Sequence, residues 1–229
     1  MMQIASAKEP TDPLADALPL GFARISRGDA ARPVIEKFIQ RRYWVTHRAS
    51  RCHFLDHLLV VAADPDEPLA VLGIDAPRDR PFLHESYLDA PIEDLIGERT
   101  GERPDRSKII ELGNLVSVDS AAATLLMLLS VSWFAGLGAT WAGFTATRTV
   151  RLRLRALGVP LFDLGVADPA RLGPEAAQWG NYYECGPHVV AATFSEAQSL
   201  IQMIPEQWSA LSERAYADGT AVRHARGVA

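Results

Sequence analysis

Residues 109–147 read IIELGNLVSVDSAAATLLMLLSVSWFAGLGATWAGFTAT, and from Ser120 to Thr147 there is no charged side chain. Two readings compete. By length alone, about 18–20 consecutive apolar residues suffice to span a bilayer. The same stretch also reads as a buried helix followed by a buried strand. Gly136 and Gly138 stand where a helix that packs in a core would stop. Thr140–Thr145 alternates as a strand does, and Arg148, Arg151, Arg153 and Arg155 follow at once. A membrane span would run on through Gly138 without such a break. The helix-then-strand reading is therefore adopted, and membrane contact is not expected.

Working outward, Lys108–Val116 (KIIELGNLV) is the preceding strand, and Asp119 or Ser120 caps the helix that ends near Leu137. Thr147 caps a second helix ending at Gly158, and Val159–Leu164 and Val189–Phe194 are further strands. Upstream, Phe22–Arg27 reads as a first strand. Asp29 is expected to cap a helix with apolar positions Val34, Ile35, Phe38 and Ile39, ending near Val45. Leu58–Ala63 and Leu69–Ile74 form a hairpin around ADPDEP, and a short helix is expected near Pro91–Ile96. An amphipathic helix is expected over Ser195–Ala215. This order gives an α/β (α+β) fold with a central mixed sheet flanked by helices.

The chain has 229 residues and a net charge of −5, which suits one domain and argues against a generic nucleic-acid binder. Residues 1–20 contain three prolines and neither a basic start nor an apolar core, and read as a disordered lead-in to a domain over 21–195, with 196–229 a helix and tail. Cys52 and Cys185 are too few for a disulfide framework, so a cytoplasmic location is expected. Cys52, His53 and His57 offer no third ligand at metal-binding spacing, and no metal is expected.

Three blocks carry a resemblance: FLHESYLDAPIEDLI (82–96), IIELGNLVSVDSAAATLL (109–126) and the segment 141–194, with its F-T-A-T and W-G-x-Y-Y motifs. Together they resemble the bacterial thermostable hemolysin family. The element order is similar to that of acyl-homoserine-lactone synthases and GNAT acyltransferases. In those synthases a strand carrying E-x-S-R follows an insertion; here Glu111 takes that place and Asn114 stands where they have Arg. The resemblance implies a GNAT-like fold and acyl transfer from a thioester, on acyl-carrier protein or coenzyme A, to a small-molecule amine. The thioester is a co-substrate, with no permanently bound cofactor. Three departures stand out. Asp75 replaces a basic residue, His84 replaces a Leu, and Ser117–Ala121 replaces the glycine-rich phosphate loop.

Each candidate residue has a chemical and a structural reading. Glu111, inside an apolar strand, is either a general base with a perturbed pKa or a partner of a buried Arg or of backbone N–H groups. Gly113 suggests a bulge whose N–H groups could polarise a thioester carbonyl, with Asn114 as a side-chain donor, or a plain sheet irregularity. Glu85, Tyr87, Asp89 and Glu93 form an acidic cluster that could hold an ammonium or simply favour a helix start. Trp179, Tyr182 and Tyr183 form an aromatic cluster, and a tyrosine could protonate a leaving thiolate or wall a pocket. Arg148, Arg151 and Arg155 share a helix face. They could meet phosphopantetheine or an acidic carrier, or be a solvated surface. The leading reading is an N-acyltransferase. The alternatives are a membrane-active protein that exposes the Ala121–Ala139 helix, or a non-catalytic ligand binder on the same fold.

Overall fold

The computed structural model describes residues 21–50, 52–64, 67–76 and 80–194. The expected lead-in and the C-terminal helix over 195–215 lie outside the described residues. Seven strands form one sheet: β1 (Gly21–Ser26), β2 (His57–Asp64), β3 (Glu67–Asp75), β4 (Ile109–Ser117), β5 (Trp141–Ala146), β6 (Leu161–Val166) and β7 (His188–Thr193). Their order is β1-β2-β3-β4-β5-β7-β6. Only β4 and β5 run parallel; the other neighbours are antiparallel. Four helices flank the sheet: α1 (Arg32–His47), α2 (Ile92–Thr100), α3 (Ser120–Gly136) and α4 (Arg148–Ala156).

Strand alternation assigns the helices to faces. Leu59, Val61, Ile110, Ala142 and Val190 point toward α3 and α4, together with Leu126, Leu129, Trp133 and Phe134 of α3. Their neighbours Leu58 and Val60 point the other way, onto Ile35 and Ile39 of α1. Ile109, Val189 and Ala191 meet Ile92 and Ile96 of α2. The helix whose sequence mimicked a membrane span is thus the centre of one core layer, with Leu126 fully buried. No helix among the described residues is long and apolar enough to cross a membrane.

Local chemistry sets most boundaries as the sequence implies. Asp119 accepts the Ala122 N–H at 2.8 Å and caps α3, and the Thr147 hydroxyl accepts the Val150 N–H to cap α4. The α1 start differs from expectation. Asp29 turns back to accept the Ser26 N–H and closes the turn after β1, while α1 begins at Arg32 beside Pro33 with no side-chain cap. Arg32 is buried, and its guanidinium donates to the Leu55 and Asp56 carbonyls, so tertiary contacts fix this helix end.

One irregularity positions the site. The parallel ladder runs from Ile109–Trp141 to Leu112–Phe144 and ends there, although β4 continues to Ser117 and β5 to Ala146. Against β3, the register slips between Val71 and Gly73, with one extra residue on β4. Asn114 lies at this bulge with φ 51°. A bulge bends the strand that carries it, and β4 parts from β5 beyond Leu112.

Candidate active site

A cavity of about 360 Å³ fills the gap between β4 and β5. It is bounded by Gly113, Asn114 and Leu115 of the bulge and by Phe144 and Thr145 of β5. Met127 and Val131 of α3 and Leu154 of α4 wall its apolar part. At its other side stand Arg42, Tyr43, Thr46 and His47 from the last turns of α1, with Tyr182. Because α1 and α3 lie on opposite faces of the sheet, the cavity passes through the gap from one face to the other. Among the described residues, its lining contains Arg42, His47 and Arg153 and no carboxylate.

Glu111 makes the contacts of the second of its two readings, to backbone N–H groups. Only 2% exposed, it accepts the Leu83 N–H at 2.8 Å, the His84 N–H at 3.3 Å and a contact from His84 Nδ1 at 3.1 Å, all on Oε1. Oε2 and His84 Nε2 are buried without partners. The His84 ring stacks on Phe82, and the Arg106 guanidinium lies over the Phe82 ring, 4.3 Å from its centroid. Glu111 does not line the cavity; it fastens the 3-10 turn Leu83–Tyr87 to β4. The histidine that replaces leucine here is its side-chain partner.

The acidic cluster is a paired network. Arg106 bridges Glu85 and Glu93, Arg103 pairs with Glu93 and Asp94, and Arg171 pairs with Asp89. Asp75, the acid that replaces a basic residue, pairs with Arg80. Glu85 also accepts the Phe82 and Ile92 N–H groups. Glu85, Glu93 and Asp89 are thus each paired with an arginine, the first two nearly buried and Asp89 exposed.

Burial pushes the Glu85 carboxyl up, but the Arg106 hydrogen bonds and the two backbone donors outweigh it and hold its pKa below the usual carboxylate value. A depressed folded-state pKa gives stability that is complete above the unfolded value and is lost as pH falls through the folded one. The urea midpoint is therefore expected to fall as pH drops below about 4.5, with a shallower fall in E85Q. Equal slopes in the two proteins would remove this account.

The aromatic cluster divides. Tyr182 reaches the cavity, whereas the Tyr183 hydroxyl bonds that of Tyr87 at 2.8 Å. Trp179 stands behind the wall, with ring centroids 6.0 Å from Tyr43 and 5.5 Å from Tyr182. Gly180 explains the motif's glycine. A Cβ there would lie 2.1 Å from the His47 carbonyl oxygen, and the Asn181 N–H donates to that same oxygen at 2.8 Å. The W-G-x-Y-Y segment thus clamps the end of α1 against the cavity.

The arginine assignment also changes. Arg151 donates to the Ala146 and Gly186 carbonyls, and Arg148 and Arg155 are exposed away from the cavity lining. Of the α4 arginines, Arg153 lines the cavity, and it also donates to the Ser120 hydroxyl at 2.8 Å. Asn114 likewise serves the fold: it accepts the Leu55 N–H and donates to the His53 carbonyl. Its side chain is therefore held at both ends, with its oxygen and one amide hydrogen engaged. Sequence reasoning missed Arg42, Tyr43 and His47. Their signal was the pair of i,i+4 repeats Arg42/Thr46 and Tyr43/His47, which put polar groups on one face at the end of α1. His57 bonds the Ser26 hydroxyl, and among the described residues no three metal-ligating side chains converge.

With this geometry in view, comparison with known proteins is informative about the fold. Solved structures with similar architecture include FeeM, an N-acyl amino acid synthase from uncultured soil microbes, at TM-score 0.52 and 10% identity; the match covers 81% of this chain and 98% of that one. The acyl-homoserine-lactone synthase LasI matches at TM-score 0.51 and 11% identity, over 80% of this chain and 93% of that one. TofI, in a ternary complex with an inhibitor and MTA, matches at TM-score 0.53 and 11% identity, over 83% and 99%. At such identities the likeness is one of fold, and the chain shares the architecture of these proteins. No curated protein sequence matches the chain. The thermostable hemolysin family model matches residues 25–198, which take in all three of the motif blocks and every strand but the first residues of β1, and the chain belongs to that family.

Proposed function

We propose that this protein transfers an acyl group from a thioester to an amine. The observation that carries the reading is the apolar cavity in the gap where β4 leaves β5, bounded by the bulge at Gly113–Leu115. A thioester laid in the gap would place its carbonyl by the backbone N–H groups of that bulge, which suit a developing oxyanion. Its acyl chain would run along Met127, Val131 and Leu154. The similar structures described as acyl-homoserine-lactone and N-acyl amino acid synthases support the same class of reaction.

The donor end is read from its charges. Asp119 caps α3, so a carboxylate stands at that helix start and opposes a pyrophosphate. Arg153 supplies the positive charge instead, and suits the single phosphate of a carrier protein's phosphopantetheine. In this reading Tyr182, kept protonated because burial raises its pKa, returns a proton to the leaving thiolate.

The test is thiol release from acyl thioesters in the presence of amines. M127W should cut kcat/KM for a decanoyl thioester by roughly tenfold to a hundredfold, the range for pocket contacts, while sparing an acetyl thioester. Equal loss on both would place the acyl chain elsewhere. Tight thioester binding with no release for any amine would instead favour a ligand-binding protein on this fold.

A further inference from the structure

We propose that the last turns of α1 form the acceptor subsite of this cavity, with His47 taking the proton of the attacking amine and Arg42 holding a carboxylate carried by the same acceptor. The inference rests on the acyl-transfer reading above and adds to it the base and the class of amine.

Position comes first. His47 lines the cavity, as do the bulge residues and Tyr182, and so shares one space with the place proposed for the thioester carbonyl. The clamp at Gly180 fixes its backbone through the Asn181 N–H bond to its carbonyl. Its ring stands edge-on to Tyr182, with centroids 5.2 Å apart, and Nδ1 lies 3.9 Å from Cys185 Sγ. Nε2 makes no hydrogen bond to any described residue. The proposed base is the tautomer with the proton on Nδ1, toward the sulfur, in which the Nε2 lone pair is the free acceptor.

Charge comes second. The groups facing His47 are Tyr43 on its own helix and Tyr182 and Cys185 on the turn that clamps it. Burial raises both tyrosines well above neutrality, so neither competes as an anion. Burial also lowers the pKa of His47, which keeps the ring neutral and ready to accept a proton. Among the described residues no carboxylate lines the cavity to hold an ammonium, whereas Arg42 lines it and forms no ion pair. An acceptor with both an amine and a carboxylate, as in an amino acid, fits that pair.

The step balances without a further reactant. The ammonium gives one proton to Nε2. The nitrogen lone pair then forms the C–N bond at the carbonyl, and the C–S bond breaks with its electrons on sulfur. The second N–H proton passes by way of the Tyr182 hydroxyl to the thiolate, and His47 later releases its proton to solvent.

The experiment measures thiol release from S-decanoyl-N-acetylcysteamine by the full chain, with amino acids and their decarboxylated amines as acceptors. Amino acids should be preferred by about tenfold in kcat/KM, and R42Q should bring that ratio toward one. H47Q should lower kcat about a hundredfold with the KM for thioester unchanged, and should erase the acid limb of the pH profile. Should H47Q fail to fold, the wild-type profile decides, because the limb must then lie below the ordinary histidine value of 6.5. Wild-type rates and an unaltered profile in H47Q would overturn the role of His47. So would an acyl adduct on Cys185 that is lost in C185A. Equal use of plain amines by the wild type would overturn the role of Arg42. No thiol release by the wild type with any acceptor would instead overturn acyl transfer itself, a result separate from all of these.

Discussion

Gly180→Ala is expected to lower the unfolding free energy by about 3 kcal/mol or more, because two costs act together there. The backbone has φ 57° and ψ −125°, a conformation that only glycine adopts readily. The added methyl would also lie 2.1 Å from the His47 oxygen and 2.8 Å from the Arg48 carbonyl carbon, both backbone atoms that cannot turn aside. Gly186 separates the two costs. It has φ 59° and nothing within 4 Å of a built Cβ, so Gly186→Ala should lose only about 1–2 kcal/mol, the left-handed penalty alone. For a chain of this size, 3 kcal/mol corresponds to roughly 6–12 °C in Tm. Thermal melts of the two variants give the comparison, and equal losses would mean that the clamp on α1 yields easily. If the clamp positions His47, G180A should also lose acyl transfer beyond what its stability predicts.

Glu111→Ala should be comparably severe. It removes the acceptor of the Leu83 and His84 N–H groups and of His84 Nδ1, all in a site with almost no solvent. Leaving buried partners uncompensated in this way costs about 3–5 kcal/mol. Glu111→Gln keeps an oxygen in place and should cost about 1–2 kcal/mol. Urea unfolding measures both. A loss below about 1 kcal/mol for E111A would mean that the 3-10 turn Leu83–Tyr87 is held by its apolar contacts alone. The milder variant also separates the two readings of this residue. If Glu111 fastens that turn, E111Q retains thiol release within a few fold; if Glu111 is the base, E111Q abolishes it while the protein stays folded.

The layered architecture was legible because it is written in local signals. Short continuous apolar runs marked β2, β3 and β7, while Asp119, Thr147 and Gly138 marked helix ends, and each of these acts within a few residues of the chain. The misreading of Asp29 has a local cause too. A short acid before a helix can serve either the helix or the turn behind it, and the buried Arg32 pinned to the 55–56 carbonyls decides for the turn. Charge was harder to read. Glu85, Asp89 and Glu93 looked like a site because their cations, Arg103, Arg106 and Arg171, are supplied from other segments.

The sequence by itself determined the family, the order of strands and helices, and the burial of the charge-free stretch from Ser120 to Thr147. Helical and strand periods and capping residues are short-range properties, and they suffice for that. Only the tertiary structure decided which groups meet. It sealed Glu111 against His84, brought Arg153 rather than its helix neighbours to the cavity, and set His47 beside Tyr182 across 135 residues of chain. Those encounters depend on where β4 bends away from β5 and on the approach allowed at Gly180, and no period or spacing along the chain encodes either.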